Sequence, residues 1–130
     1  MNAARRALMA IAMFLITGPI LAQSSKNISV SEFEKKLAAT KEKTVLDVRT
    51  SNEFSQGHLA NAVNIDYYKS DFKENVGKLD KNKPVFVYCL SGGRSSSAAG
   101  VLKDLGFKEI FNMQGGMKAW SDANKEVIKK

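Results

Sequence analysis

The sequence predicts an α/β fold built on a mainly parallel sheet. Two observations carry this. Short apolar, β-branched runs alternate with helix-like stretches from residue 28 onward, which implies a mainly parallel sheet. One such run, Pro84-Val85-Phe86-Val87-Tyr88, ends on the single cysteine, Cys89, and a small-residue loop and a helix-like stretch follow. In sheets of this kind ligands bind at the carboxyl ends of the strands, which is where Cys89 falls.

The elements follow in order. Residues 1–22 read as a secretory signal peptide. Arg5 and Arg6 form a positive start, Ala7 to Ile20 is uncharged and mostly apolar, and Ala22 and Ser24 supply small residues for cleavage. The apolar run is short for a membrane span, which needs roughly 20 residues. Removing residues 1–22 from the 130 leaves 108, enough for one domain (23–130) with one core, and lowers the formal charge from +7 to +5. The expected product is exported, periplasmic or secreted, with no stable membrane insertion after cleavage.

Ser29-Val30-Ser31-Glu32 has the form of a capping box, and Val30, Phe33 and Leu37 continue at helical spacing. Thr44-Val45-Leu46-Asp47-Val48 reads as a strand. Thr50 or Ser51 caps a brief helix over Asn52 to Gln56, which Gly57 stops. Ala62-Val63-Asn64-Ile65 is a second strand, and residues 70–77 a second brief helix. Pro84 opens the strand Val85–Tyr88, a position at which proline is tolerated. Ala98, Val101, Leu102 and Leu105 then repeat at i, i+3, i+4 and i+7, with Gly106 as the stop. Phe107 to Met113 supplies another strand, and Gly115-Gly116 opens a closing helix through Trp120. Met117 and Trp120 are expected to cover the core.

The lysines are scattered, with small groups at Lys41/Lys43, Lys81/Lys83 and Lys129/Lys130. That distribution reads as solvated surface and not as a nucleic-acid or anionic-membrane patch. One cysteine cannot form an internal disulfide, and one cysteine with one histidine makes no metal site. No cofactor is implied. An odd thiol in an exported protein points to a reactive group or an intermolecular pairing, with a buried structural cysteine as the bland alternative.

The loop after Cys89 favours the reactive group. In Cys89-Leu90-Ser91-Gly92-Gly93-Arg94-Ser95, four residues separate Cys89 from Arg94. Gly92 and Gly93 permit angles closed to other residues, so successive N–H groups can turn inward and form a small anion-holding cup. Unpaired N–H groups at a helix start favour a thiolate, the nucleophilic form of cysteine. Arg94 adds a positive charge at the rim or braces the loop, and Ser91 and Ser95 offer hydroxyls.

These residues resemble the single-domain rhodaneses, a family of sulfurtransferases. The similarity covers about residues 28–121. It rests on Leu46-Asp47-Val48-Arg49 with Glu53-Phe54, on Gly57-His58-Leu59 leading to Ala62-Val63-Asn64-Ile65, on the loop Cys89–Ser95, and on Gly115-Gly116-Met117-Lys118-Ala119-Trp120. The resemblance implies a mostly parallel five-stranded sheet flanked by helices. It also implies a catalytic Cys89 that takes sulfur from thiosulfate or a persulfide and passes it to cyanide or a thiol, with Leu90 to Ser95 binding the substrate. Some thiosulfate-using members carry basic residues inside the loop. Here Leu90 and Ser91 are neutral, which points toward a persulfide or polysulfide donor.

Asp47 and Arg49 at a strand end are read as bracing the sheet, because buried charges need partners. His58, the lone histidine, is read as structural, since a thiolate stabilised by its loop needs no base. Tyr67 and Tyr68 suit either the pocket mouth or the surface. Two other functions compete. Phosphatases and arsenate reductases also run from Cys to Arg, but over five intervening residues and a wider cup. A partner-binding module on the same fold is the second, although such modules often lack the cysteine.

Overall fold

The computed structural model describes residues 22–129; the expected targeting segment lies, but for Ala22, outside the described residues. Ten elements follow one another: β1 (Ser24–Ile28), α1 (Val30–Ala39), β2 (Thr44–Asp47), α2 (Ser51–Ser55), β3 (Val63–Asn64), α3 (Phe72–Val76), β4 (Val85–Tyr88), α4 (Gly93–Asp104), β5 (Glu109–Met113) and α5 (Gly116–Asp122). The strands form one sheet in the order β1-β5-β4-β2-β3, and each neighbouring pair is parallel.

Alternation along β4 explains the layers. Val85 and Val87 face one side with Leu46 and Ile110, where α3 and α4 cover them through Phe72, Val76, Ala98 and Leu102. Phe86 and Tyr88 face the other side with Val45 and Phe111, covered by Phe33 of α1 and Met117 and Trp120 of α5. Burial on both faces is why β4 is apolar at every position. Phe33 meets Phe86 edge-on, with ring centroids 5.3 Å apart.

The helix starts follow their caps. Ser29 Oγ accepts from the Glu32 N–H at 3.2 Å and starts α1. At α2 a full capping box forms: Thr50 Oγ1 accepts from Glu53 N–H, and Glu53 Oε1 accepts from Thr50 N–H, both at 3.2 Å.

Two differences from the residue-level reading matter. β1, which no pattern marked, completes the sheet by pairing Ser24–Ile28 along β5. It lies at the sheet edge, and its Ser25, Lys26 and Asn27 are exposed, so it shows no apolar signature. The helix after Cys89 also begins earlier than its apolar repeat suggests. Gly92 is its cap at φ 111°, and Gly93, Arg94 and Ser95 already form its first turn. Only Gly92 of the glycine pair uses a positive φ.

Candidate active site

Cys89 follows β4 at the carboxyl edge of the sheet and is 1% exposed. Its Sγ accepts the Gly92 N–H at 3.0 Å. Burial alone would push the thiol pKa up. The Ser95 hydroxyl and the backbone N–H groups of Ser95, Gly92 and Ser91 outweigh it, and the pKa lies below the ordinary thiol value. Gly92 N–H makes the hydrogen bond to the sulfur, and Ser91 and Ser95 lie where they favour its charged form. The Ser95 hydroxyl also lies 3.2 Å from the Gly92 carbonyl. It has one proton to give, and a charged sulfur is the stronger acceptor. Ser95→Ala should thus raise the Cys89 pKa and slow alkylation at neutral pH several-fold. The check is the pH profile of iodoacetamide alkylation; an unchanged profile would remove Ser95 from the cup.

Arg94 does not act as a free charge at the rim. Its Nη1 and Nη2 donate to Glu53 Oε1 and Oε2 at 2.7 and 2.9 Å. Its guanidinium also lies over the Tyr68 ring, 5.3 Å from the centroid, which places Tyr68 beside the loop. The hydrogen bonds to Glu53 hold the Arg94 pKa above its ordinary value despite partial burial. In turn Arg94 holds the Glu53 carboxyl at about 2, against an ordinary 4.5, with burial opposing and Thr50 assisting. The pair ties α2 to the first turn of α4 across 41 residues of chain. Arg94 therefore braces the loop, and its paired charge still interacts, as a lesser contribution, with the Cys89 sulfur.

A depressed carboxylate pKa stabilises the fold fully above 4.5, and that contribution is lost as the pH falls toward about 2. Glu53→Gln should cost about 1 kcal/mol at neutral pH, as suits a bidentate but partly exposed pair. The two proteins should converge in stability on acidification. Urea midpoints measured between neutral pH and pH 2 test this; a constant difference would mean the pair carries no linkage.

Asp47 and Arg49 form a buried pair. Arg49 Nε donates to Asp47 Oδ1 and Oδ2 at 3.0 and 3.1 Å, and Nη2 donates to Oδ2 at 2.6 Å and to the Gly57 carbonyl at 2.7 Å. Burial works against the Arg49 charge, but the hydrogen bonds and field of Asp47 raise its pKa overall. Removing one partner of such a pair costs about 3–5 kcal/mol, far more than at Arg94. Tyr88 lies beneath, its hydroxyl accepting the Leu59 N–H at 3.1 Å; burial and then Asp47 keep the phenol protonated. His58 stacks on Phe54, with centroids 3.8 Å apart, and its Nδ1 lies 3.0 Å from the Phe54 carbonyl. Its backbone bridges Ile128 in both directions, at 2.9 and 2.7 Å, and pins the C-terminal tail. None of Asp47, Arg49 and His58 is among the groups that hold the Cys89 sulfur.

The start of α5 completes the site. Met117 N–H donates to the Cys89 carbonyl at 2.8 Å, and Lys118 N–H to the Leu90 carbonyl at 2.9 Å. Two unpaired donors of a helix start thereby fix the peptides on either side of Leu90. Leu90 itself is 44% exposed, the apolar lip of the loop.

A family model described as the rhodanese-like domain matches residues 29–123. The chain belongs to the rhodanese-like family. A solved rhodanese-related protein from Thermoplasma volcanium superposes on this domain with a TM-score of 0.72 at 30% identity, covering 81% of this chain and 99% of that one. A thiosulfate sulfurtransferase GlpE of Coxiella burnetii is 40% identical over 87 residues, 62% of this chain and 79% of the relative. The polysulfide-sulfur transferase homodimer of Wolinella succinogenes matches with a TM-score of 0.67 at 27% identity, covering 82% of this chain and 80% of that one. Sulfur transfer is thus the activity these matches support at the level of the family. The rhodanese-like loop Cys89–Ser95, the strand end Asp47–Arg49 and the Gly115-Gly116 turn all lie within the matched span.

Proposed function

We propose that this chain is an exported sulfurtransferase that carries sulfane sulfur as a persulfide on Cys89. The observation that carries the reading is a buried thiol held below its ordinary pKa by a cup of N–H and O–H donors, with Gly92 N–H at 3.0 Å. The Cys89 thiolate attacks the outer sulfur of a donor. With thiosulfate the new S–S bond forms as the old one breaks, and sulfite leaves with the electron pair. An acceptor thiol or cyanide then takes the outer sulfur, and the pair returns to Cys89 as thiolate. The cup stabilises negative charge on sulfur in each step, with donors already in place before the charge develops.

The loop favours a persulfide or polysulfide over thiosulfate. Leu90 and Ser91 are neutral and Arg94 is engaged by Glu53, so no unpaired loop cation faces a dianion. Export rests on Arg5, Arg6, the apolar run and Ala22. Gln23 Nε2 donates to the Lys103 and Phe107 carbonyls at 2.6 and 3.1 Å, and cleavage after Ala22 leaves these contacts whole.

Intact-mass analysis tests the chemistry. After exposure to a small persulfide, and more weakly after thiosulfate, the protein should gain one sulfur on Cys89. No gain with either donor would sink the reading. N-terminal sequencing of protein from fractionated cells tests export; a full-length cytosolic product would contradict it.

A further inference from the structure

We propose that a cleft beside the loop binds the anionic end of the acceptor, so that the favoured acceptor is a thiol that also bears a carboxylate. The inference rests on the sulfurtransferase reading and deepens it. The cleft is a cavity of about 560 Å³. Its lining includes Leu90 and Met117, Gln56 and Gly57, and Lys129 of the tail pinned by His58.

Charge selects the ligand. Arg49 lines this cavity although it is only 4% exposed. Its Nε and Nη2 are taken by Asp47 and the Gly57 carbonyl, and none of these bonds uses Nη1. A guanidinium nitrogen not used by these bonds, on a residue that lines the cavity, is an available donor to a carboxylate. Lys129 supplies a second cation from the tail. The one acid in the lining, Glu53, has both carboxylate oxygens committed to Arg94. A carboxylate here therefore meets the Lys129 charge and a spare donor of Arg49, whose own charge is paired with Asp47, beside an acid already paired with Arg94.

Reach selects the rest of the molecule. Cys89 does not line the cavity, but the next residue, Leu90, does. A ligand anchored here lies beside the Cys89 loop, and a thiol a few bonds from its carboxylate can extend past the exposed Leu90 side chain toward the outer sulfur. The step balances: the acceptor sulfur bonds to the outer sulfur, the bond to Cys89 breaks, and Cys89 leaves as thiolate.

The test preloads Cys89 with persulfide and follows loss of that sulfur by intact mass in single turnover. Two probes are used, 3-mercaptopropionate and the neutral 2-mercaptoethanol. In the unmodified protein the acid should react faster than its own thiol reactivity predicts, with the advantage shrinking at high salt. Lys129→Glu should lower the ratio of the two rate constants about fivefold, and Gln56→Glu should lower it in the same direction. Both positions are exposed, so folding is not at risk. Ratios unmoved in both variants would overturn the subsite and leave the sulfurtransferase reading standing. Failure to load any persulfide would overturn that reading instead.

Discussion

Cys89→Ser should abolish sulfur transfer and leave the fold unchanged. The two side chains differ little in size, and the site is built from neighbours that remain: the Gly92 N–H, the Ser95 hydroxyl and the α5 N–H groups bonded to the Cys89 and Leu90 carbonyls. Stability should shift by no more than about 1 kcal/mol, since no cavity forms and no charge is orphaned. The chemistry has no such tolerance. A serine hydroxyl is not ionised near neutral pH and cannot hold a sulfane sulfur as a persulfide. The measurement pairs urea denaturation with persulfide-dependent transfer to cyanide. Loss of activity to background at native stability is the expected result, and retained transfer in the serine variant would remove Cys89 as the carrier.

Gly116→Ala should be nearly as damaging by an entirely different route. Gly116 has φ +57°, and a Cβ there would lie 2.5 Å from the Cys89 carbonyl oxygen and 2.6 Å from the Leu90 carbonyl carbon and oxygen. The left-handed conformation alone costs about 1–2 kcal/mol for a residue with a Cβ. The contacts are with backbone, which cannot swing aside as a side chain tip does. The Cys89–Leu90 segment must move, and the α5 bonds to its carbonyls stretch with it. A total loss of about 2–4 kcal/mol is expected. A displacement near 1 Å at a reacting group can cost about a hundredfold in rate. Gly100→Ala supplies the control. It lies within α4, where an added methyl would meet nothing within 4 Å. There the same chemical change should stabilise by about 0.5–1 kcal/mol and leave transfer untouched. Equal behaviour of the two variants in transfer assays would show that α5 does not position the loop.

The two variants divide the site along a line that also separates what local sequence reveals from what it hides. Cys89 was legible because its signal is local: an apolar strand ends on it, and Gly92 follows within the reach of one turn. The caps at Ser29 and Thr50 were legible for the same reason, since a side chain that bonds an N–H three residues on leaves its trace within four positions. The fully buried strand β4 announced itself by apolar residues at every position.

What escaped the residue-level reading depends on partners remote in the chain. The edge strand β1 pairs on one side only, so its polar residues carry no period, and its place is decided by β5, 85 residues away. Glu53 gave no sign that it would bind Arg94, because a carboxylate and a guanidinium 41 residues apart have no spacing rule to meet. That contact makes Arg94 a brace as well as a charge near the sulfur. Gly116 stood out as half of a glycine pair, but its reason lies in the Cys89 carbonyl against which it packs. The sequence by itself determined the lone thiol at the end of a buried strand, the parallel α/β architecture and the glycine loop that follows, because each follows from backbone preferences and burial within a few residues. Only the tertiary structure decided which donors meet the sulfur, which charge is already neutralised and which cleft opens beside Leu90, because those depend on distances between segments that meet only once the sheet has assembled.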